Sequence, residues 1–141
     1  MAYIIDGHNL IGVLPDIQLN QPDDESRLLD KLRSHRAHRG GGEMIVFFDS
    51  GPSGAGSVSP VTRPGLVSTP GVDVRFSGQN QSADDAIVQF LKRAKQPGQY
   101  AVVTDDQDLS ARVRALGASV LPAHEFVRQI QRKGASPNSP I

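Results

Sequence analysis

Three short apolar runs, each halting at an aspartate, constrain this chain more than anything else in it. Tyr3-Ile4-Ile5 stops at Asp6-Gly7, Met44-Ile45-Val46-Phe47-Phe48 stops at Asp49, and Tyr100-Ala101-Val102-Val103 passes through Thr104 into Asp105-Asp106. Runs this short, rich in β-branched and aromatic residues, read as buried strands. Helical spacing fills the stretches between them. Strands alternating with helices imply an α/β fold with a mostly parallel sheet covered on both faces. Right-handed crossovers leave few topologies, and we expect about five strands in the order 3-2-1-4-5. That order sets strands one, two and four side by side, with their acidic ends on one edge. Open sheets of this class bind ligands in the crevice beyond the strand C-termini.

The remaining elements follow from periodicity and punctuation. Residues 8–14 suit a short helix stopped by Pro15, and residues 16–22 a polar loop. Asp23-Asp24-Glu25 places negative charge where a helix N-terminus favours it. Leu28, Leu29 and Leu32 continue an amphipathic helix over about 23–38, closed by Gly40-Gly41-Gly42. Its later turns carry Arg33, Arg36 and Arg39, either a solvated end complementing the helix dipole or a contact for a phosphate backbone. Residues 50–70 form a Gly, Pro, Ser and Thr loop of a length usually tied to function or disorder. Val72 to Phe76 alternates like an edge strand. Ser82-Ala83-Asp84-Asp85 opens a helix with Ile87, Phe90, Leu91 and Ala94 on one face. Leu109, Val113 and Leu116 mark the next helix, residues 118–121 a last strand, and Phe126, Val127 and Ile130 a final helix. We expect one domain over 1–132 and a disordered tail over 133–141.

Composition removes several classes. The 141 residues contain no cysteine, so disulfides and thiolate metal sites are excluded. No apolar run approaches the roughly 18 residues of a membrane span, and no membrane partner is expected. The first residues lack the basic-then-apolar pattern of a signal peptide, and a cytoplasmic location fits. Fifteen acids balance fifteen bases, which argues against a broadly basic nucleic-acid binder but leaves room for local patches.

Asp6, Asp49, Asp84, Asp106 and Asp108 all fall at strand ends or at the helix starts that follow. Carboxylates gathered on one edge repel one another and lose solvation, and a hard dication relieves both penalties. Mg²⁺ or Mn²⁺ suits such an all-oxygen set, and can lower the pKa of a water and neutralise charge on a phosphodiester. Each acid also has a local role open to it. Asp6 can serve the turn at Gly7, Ser82 with Asp85 resembles a capping box, and Asp105 with Asp108 can cap the next helix. We favour Asp84 and Asp106 as ligands, and Asp85 and Asp105 as caps. His8 reads as a hydrogen-bonding or stacking group more readily than as a general base. Asn9 can hold Asp6 or donate to a phosphate. A haloacid-dehalogenase-type phosphatase would need a second Asp where His8 stands, and no Gly-x-Gly-x-x-Gly follows Ile5 to support a dinucleotide site.

Ile5-Asp6-Gly7-His8-Asn9-Leu10-Ile11 resembles the opening of NYN-domain proteins of the PIN-like nuclease superfamily. Val46-Phe47-Phe48-Asp49 is similar to that family's second strand and acid. Val72 to Phe76 followed by Ser82-Ala83-Asp84 resembles its YacP-like branch, with Ser82 where Thr is usual. Val102-Val103-Thr104-Asp105-Asp106-Gln107-Asp108 resembles the late acidic motif. The resemblance implies a PIN-like three-layer α/β/α sandwich and an endoribonuclease that uses Mg²⁺ or Mn²⁺, leaving a 5′-phosphate and a 3′-hydroxyl. It carries over Asp6, Asp49, Asp84 and Asp106 as catalytic metal-site acids and Asp108 as a supporting ligand. Asn9 carries over as a residue that organises substrate or site. With the resemblance in view, His8, Arg33, Arg36 and Arg39 are the other expected substrate contacts, and RNA, messenger or ribosome-associated, is the expected partner. The alternative is a non-catalytic RNA- or ribosome-binding module on the same fold.

Overall fold

The computed structural model describes residues 2–15, 17, 24–39, 42–49, 68–78 and 81–135. Most of the expected 50–70 loop lies outside these residues, as do the Arg39 side chain and everything beyond residue 135. Strand β1 (Ala2–Asp6) leads directly into helix α1 (Gly7–Val13). Helix α2 (Asp24–Arg39) and strand β2 (Met44–Phe48) follow, then strand β3 (Val72–Phe76) and helix α3 (Ala83–Arg93). A 3₁₀ turn at Pro97–Gln99 introduces strand β4 (Tyr100–Val103), and helix α4 (Gln107–Ala115), strand β5 (Ser119–Leu121) and helix α5 (Ala123–Ala135) complete the order.

The five strands form one sheet in the order β3-β2-β1-β4-β5, with every pairing parallel. This is the order expected from the alternation of runs. Because all strands run the same way, the ends of β1, β2 and β4 open onto one edge.

Side-chain alternation splits the core between the two faces. Ile5, Val46, Phe48 and Val103 point to one face and pack against residues of α1, α2 and α5. Ile4, Ile45, Phe47 and Val102 point to the other and pack against α3 and α4. Every residue of β2 is buried, which is why its sequence shows no polar alternation at all. β3 at the edge is buried only at Val72, matching its alternating pattern.

Helix α5 runs to Ala135, so residues 133–135 are helical where a tail was expected. Gln131, Arg132 and Lys133 are good helix formers, and a helix already nucleated extends through them at little penalty. Among the described residues no helix is long and apolar enough to cross a membrane.

Candidate active site

Asp6 ends β1 and is the N-cap residue of α1, yet its side chain makes no cap hydrogen bond. It is only 6% exposed. The entry into α1 is tight because Gly7 lies against Phe48: a Cβ there would collide with the Phe48 ring and sit 3.1 Å from the Phe47 carbonyl oxygen. Only glycine lets the chain turn there while keeping Asp6 at the strand end.

Asp84, in the first turn of α3, reaches within hydrogen-bonding range of Asp6. Burial raises the Asp6 carboxyl to about 7, the Asp84 charge adds to this, and the Asn9 backbone amide and His8 pull the other way. Asp84 is raised as well, by burial and then by Asp106, with Asp49 adding to it and Arg112 opposing. Asp84 and Asp49 thus act on Asp6, and Asp106 and Asp49 on Asp84, although the four lie on separate elements.

Asp49 lies just after β2. Its Oδ1 accepts a hydrogen bond from the Ala83 amide at 2.6 Å, tying the β2 end to the start of α3. Asp106 is the N-cap of α4, with Oδ1 accepting from the amides of Asp108 and Leu109 at 2.9 and 3.1 Å. The cap expected of Asp105 thus belongs to its neighbour. Asp105 instead faces α5, accepting from the His124 amide at 3.3 Å and lying 3.0 Å from its Nδ1. The reason is that Val103 ends the strand and Thr104 Oγ1 turns the chain by accepting from the Asp106 amide, which leaves Asp106 as the last non-helical residue. Asp108 is exposed in the first turn of α4.

Ser82 caps α3 as expected, accepting from the Asp85 amide at 3.1 Å. The Asp85 carboxylate does not return the bond. It pairs with Arg112 at 3.2 Å, a cation from α4 that no local sequence pattern marks.

His8 stands beside the acids with its Nε2 2.7 Å from Glu25 Oε2 and its Nδ1 3.7 Å from Asp49 Oδ2. Its ring tilts against Phe48 at 5.3 Å. The Glu25 hydrogen bond raises the His8 pKa, against an opposing effect of burial. Glu25 is part of the site, and its sequence position at a helix start signals only dipole complementarity. Asn9 accepts from the Asp105 amide through its side-chain oxygen at 2.9 Å, across a sequence separation of 96 residues. The bond joins the β1 turn to the β4 turn.

Arg33 and Arg36 are not brought to this edge. Helix α2 starts at the acidic edge with Glu25 and runs away from it, so Arg36 lies about 16 Å further along the axis. Arg33 donates to Thr69 Oγ1 at 3.1 Å, and Arg36 donates to the Gly42 carbonyl at 2.6 Å. Arg36 also packs against Gly71, whose φ of +85° and missing side chain leave space for the guanidinium. Both arginines fasten the segments that lead into β2 and β3.

The donor chemistry at the acidic edge fits a hard divalent cation: a set of carboxylates, one of them raised to about 7 by burial and then by its neighbours. Among the described residues, no three His, Asp or Glu side chains already stand in coordinating positions around one point. The acids are gathered without being pre-set as a cage.

Five parallel strands in this order, helices on both faces and acids at the C-terminal edge define a PIN-like α/β/α protein of the NYN class. The model of the YacP-like NYN domain matches residues 3–139, and the chain belongs to that family, a branch of the PIN-like nucleases. The crystal structure of Rae1 (YacP) from Bacillus subtilis aligns with a TM-score of 0.73, at 20% identity, over 98% of this chain and 78% of that one. A tryptophan-to-leucine mutant of the same protein aligns with a TM-score of 0.71, at 22% identity, over 98% and 80%. Likeness at that identity concerns the fold. No protein with a curated description matches the sequence.

Proposed function

We propose that the chain is a divalent-metal-dependent endoribonuclease whose centre is built by Asp6, Asp49, Asp84 and Asp106. The observation that carries this reading is the burial of Asp6 beside Asp84 and Asp49, which raises its carboxyl to about 7, with Asp106 acting in turn on Asp84. Carboxyls raised by burial and by one another in this way concentrate at functional sites. Mg²⁺ or Mn²⁺ at these oxygens would supply charge neutralisation at a phosphodiester and a water of lowered pKa.

The chain's own residues have separable tasks. Asp6 and Asp84 would hold the cation through their carboxylate oxygens. Asp49 is held toward them by the Ala83 amide, and Asp106 by its two cap bonds, which leave Oδ2 for the site. Asp108 supports from the outside of α4. Asn9 fixes the spacing between the β1 and β4 turns. His8, clamped by Glu25, sets the charge beside Asp49 and borders the path of the substrate rather than abstracting a proton. Arg112 offers a cation beside Asp84 for a phosphate oxygen of the substrate. RNA as substrate follows from the family's nuclease character.

The test is cleavage of a defined RNA with Mg²⁺ or Mn²⁺, against EDTA and against Asp84→Asn. We expect the substitution to lower the rate by about a hundredfold or more. Equal rates in the two proteins would remove the reading, and RNA binding without turnover would favour the non-catalytic module.

A further inference from the structure

The face of the sheet that carries α3 and α4 is not fully covered. Helix α3 packs mainly over β1 and β2, and the Arg75 side chain reaches it from the outer strand β3. The gap is a groove of about 500 Å³ between β3 and α3. Gln81 lines one end, three residues before Asp84, and Arg93 and Tyr100 line the other. Its length follows α3, whose eleven residues span about 16 Å.

The chemistry of this groove is aromatic and basic. The Arg75 guanidinium lies over the Phe90 ring at 5.2 Å. Phe90 meets Tyr100 edge-on at 5.3 Å, so the three side chains form a continuous wall, guanidinium over ring and ring against ring edge. Asp73 holds Arg75 through Nε at 2.8 Å, leaving its terminal nitrogens without a partner among the described residues. Arg93 is exposed and makes no ion pair among the described residues. Among the described residues no acidic side chain lines the groove. The acidic edge beyond Gln81 is thus joined to a basic, stacking surface.

We propose that this groove binds a single-stranded RNA segment flanking the scissile phosphate. Bases stack on the Arg75–Phe90 wall, and phosphates meet the free nitrogens of Arg75 and the Arg93 side chain. Stacking on aromatic rings and guanidinium planes beside a basic track is how proteins hold unpaired strands without reading sequence. A duplex has its bases paired and cannot use the wall. The assignment rests on the nuclease reading for the direction of the strand, but its binding chemistry can be measured without any turnover.

The experiment is fluorescence anisotropy with a 5′-labelled 12-nucleotide single-stranded RNA in EDTA, across a series of salt concentrations. Circular dichroism confirms that each variant is folded. Arg93→Gln and Arg75→Gln should each weaken binding by about five- to tenfold and each reduce the slope of log affinity against log salt by about 0.7. Phe90→Leu should weaken binding while leaving the slope unchanged, because it removes stacking without removing charge. Arg93→Lys should restore the slope. Arg128→Gln, on the exposed face of α5 in the opposite layer, should match the parent. The proposal is overturned if the Arg75→Gln/Arg93→Gln protein binds like the parent, or if a duplex of the same sequence binds equally well. It is also overturned if the parent does not bind the 12-mer. Absence of cleavage by the parent with Mg²⁺ or Mn²⁺ would count against the nuclease reading alone.

Discussion

Asp6 is where burial and chemistry oppose each other most strongly. Burial pushes its carboxyl up to about 7 from an ordinary 3.8. Between those limits the folded, metal-free protein keeps a proton that the unfolded chain has released. Stability contributed by this group is therefore greatest at low pH and falls as pH rises toward 7. His8 acts in the same direction, since its raised pKa gives stability that is lost as pH passes through the folded value. Urea unfolding in EDTA should show the parent weaker at pH 8 than at pH 5 by roughly 2–3 kcal/mol. Asp6→Asn should remove most of that difference and be the more stable protein at pH 8, while losing RNA cleavage. If Asp6→Asn is instead much weaker at both pH values, the carboxyl is a structural group. Gly7→Ala tests the close approach to Phe48. It should destabilise by about 1–3 kcal/mol, measured in the same assay, through displacement of the Phe48 ring.

At the level of elements, the acids sit on starts and stops that the chain needs in any case. Asp106 both caps α4 and faces Asp84. Asp106→Asn keeps a good cap and removes the charge, so we expect unchanged or higher stability by thermal unfolding. Asp106→Ala should lose about 1 kcal/mol through the cap. Both should fail to cleave RNA. Arg36→Ala should lower stability by about 1 kcal/mol by freeing the Gly42 carbonyl, and should leave the salt slope of RNA binding as it was. These cases mark what could be seen in the sequence. Strands stood out because β1, β2 and β4 are short, apolar and abruptly ended, and helices because their apolar residues keep a helical period. The acidic edge followed from strand order. The partners of the basic residues did not, because they are joined across space: Arg112 reaches Asp85 from 27 residues away, and Arg33 reaches Thr69 from 36. The cap expected at Asp105 fell to Asp106 because placing it required the end of β4 to the residue.

At the scale of the whole molecule, the proposed centre draws on β1, β2, α3 and α4, so an ion bound there should oppose global unfolding. Mn²⁺ at a hundred times its dissociation constant should add about 2.7 kcal/mol at pH 8. At pH 5 the gain should shrink, because the Asp6 proton competes with the ion. Thermal melts with and without Mn²⁺ measure this, and Asp84→Asn should abolish the shift. A parent protein whose melting temperature ignores Mn²⁺ at both pH values would have no such ion site.

The central place of β1 in the sheet has a temporal consequence. Its neighbour on one side is made early, but β4 and Asp106 lie in the last third of the sequence. During synthesis the first three carboxyls are complete well before the fourth, and the bond from Asp105 to Asn9 cannot yet form. If the proposed centre is the working one, a growing chain therefore lacks it until most of its length has been made.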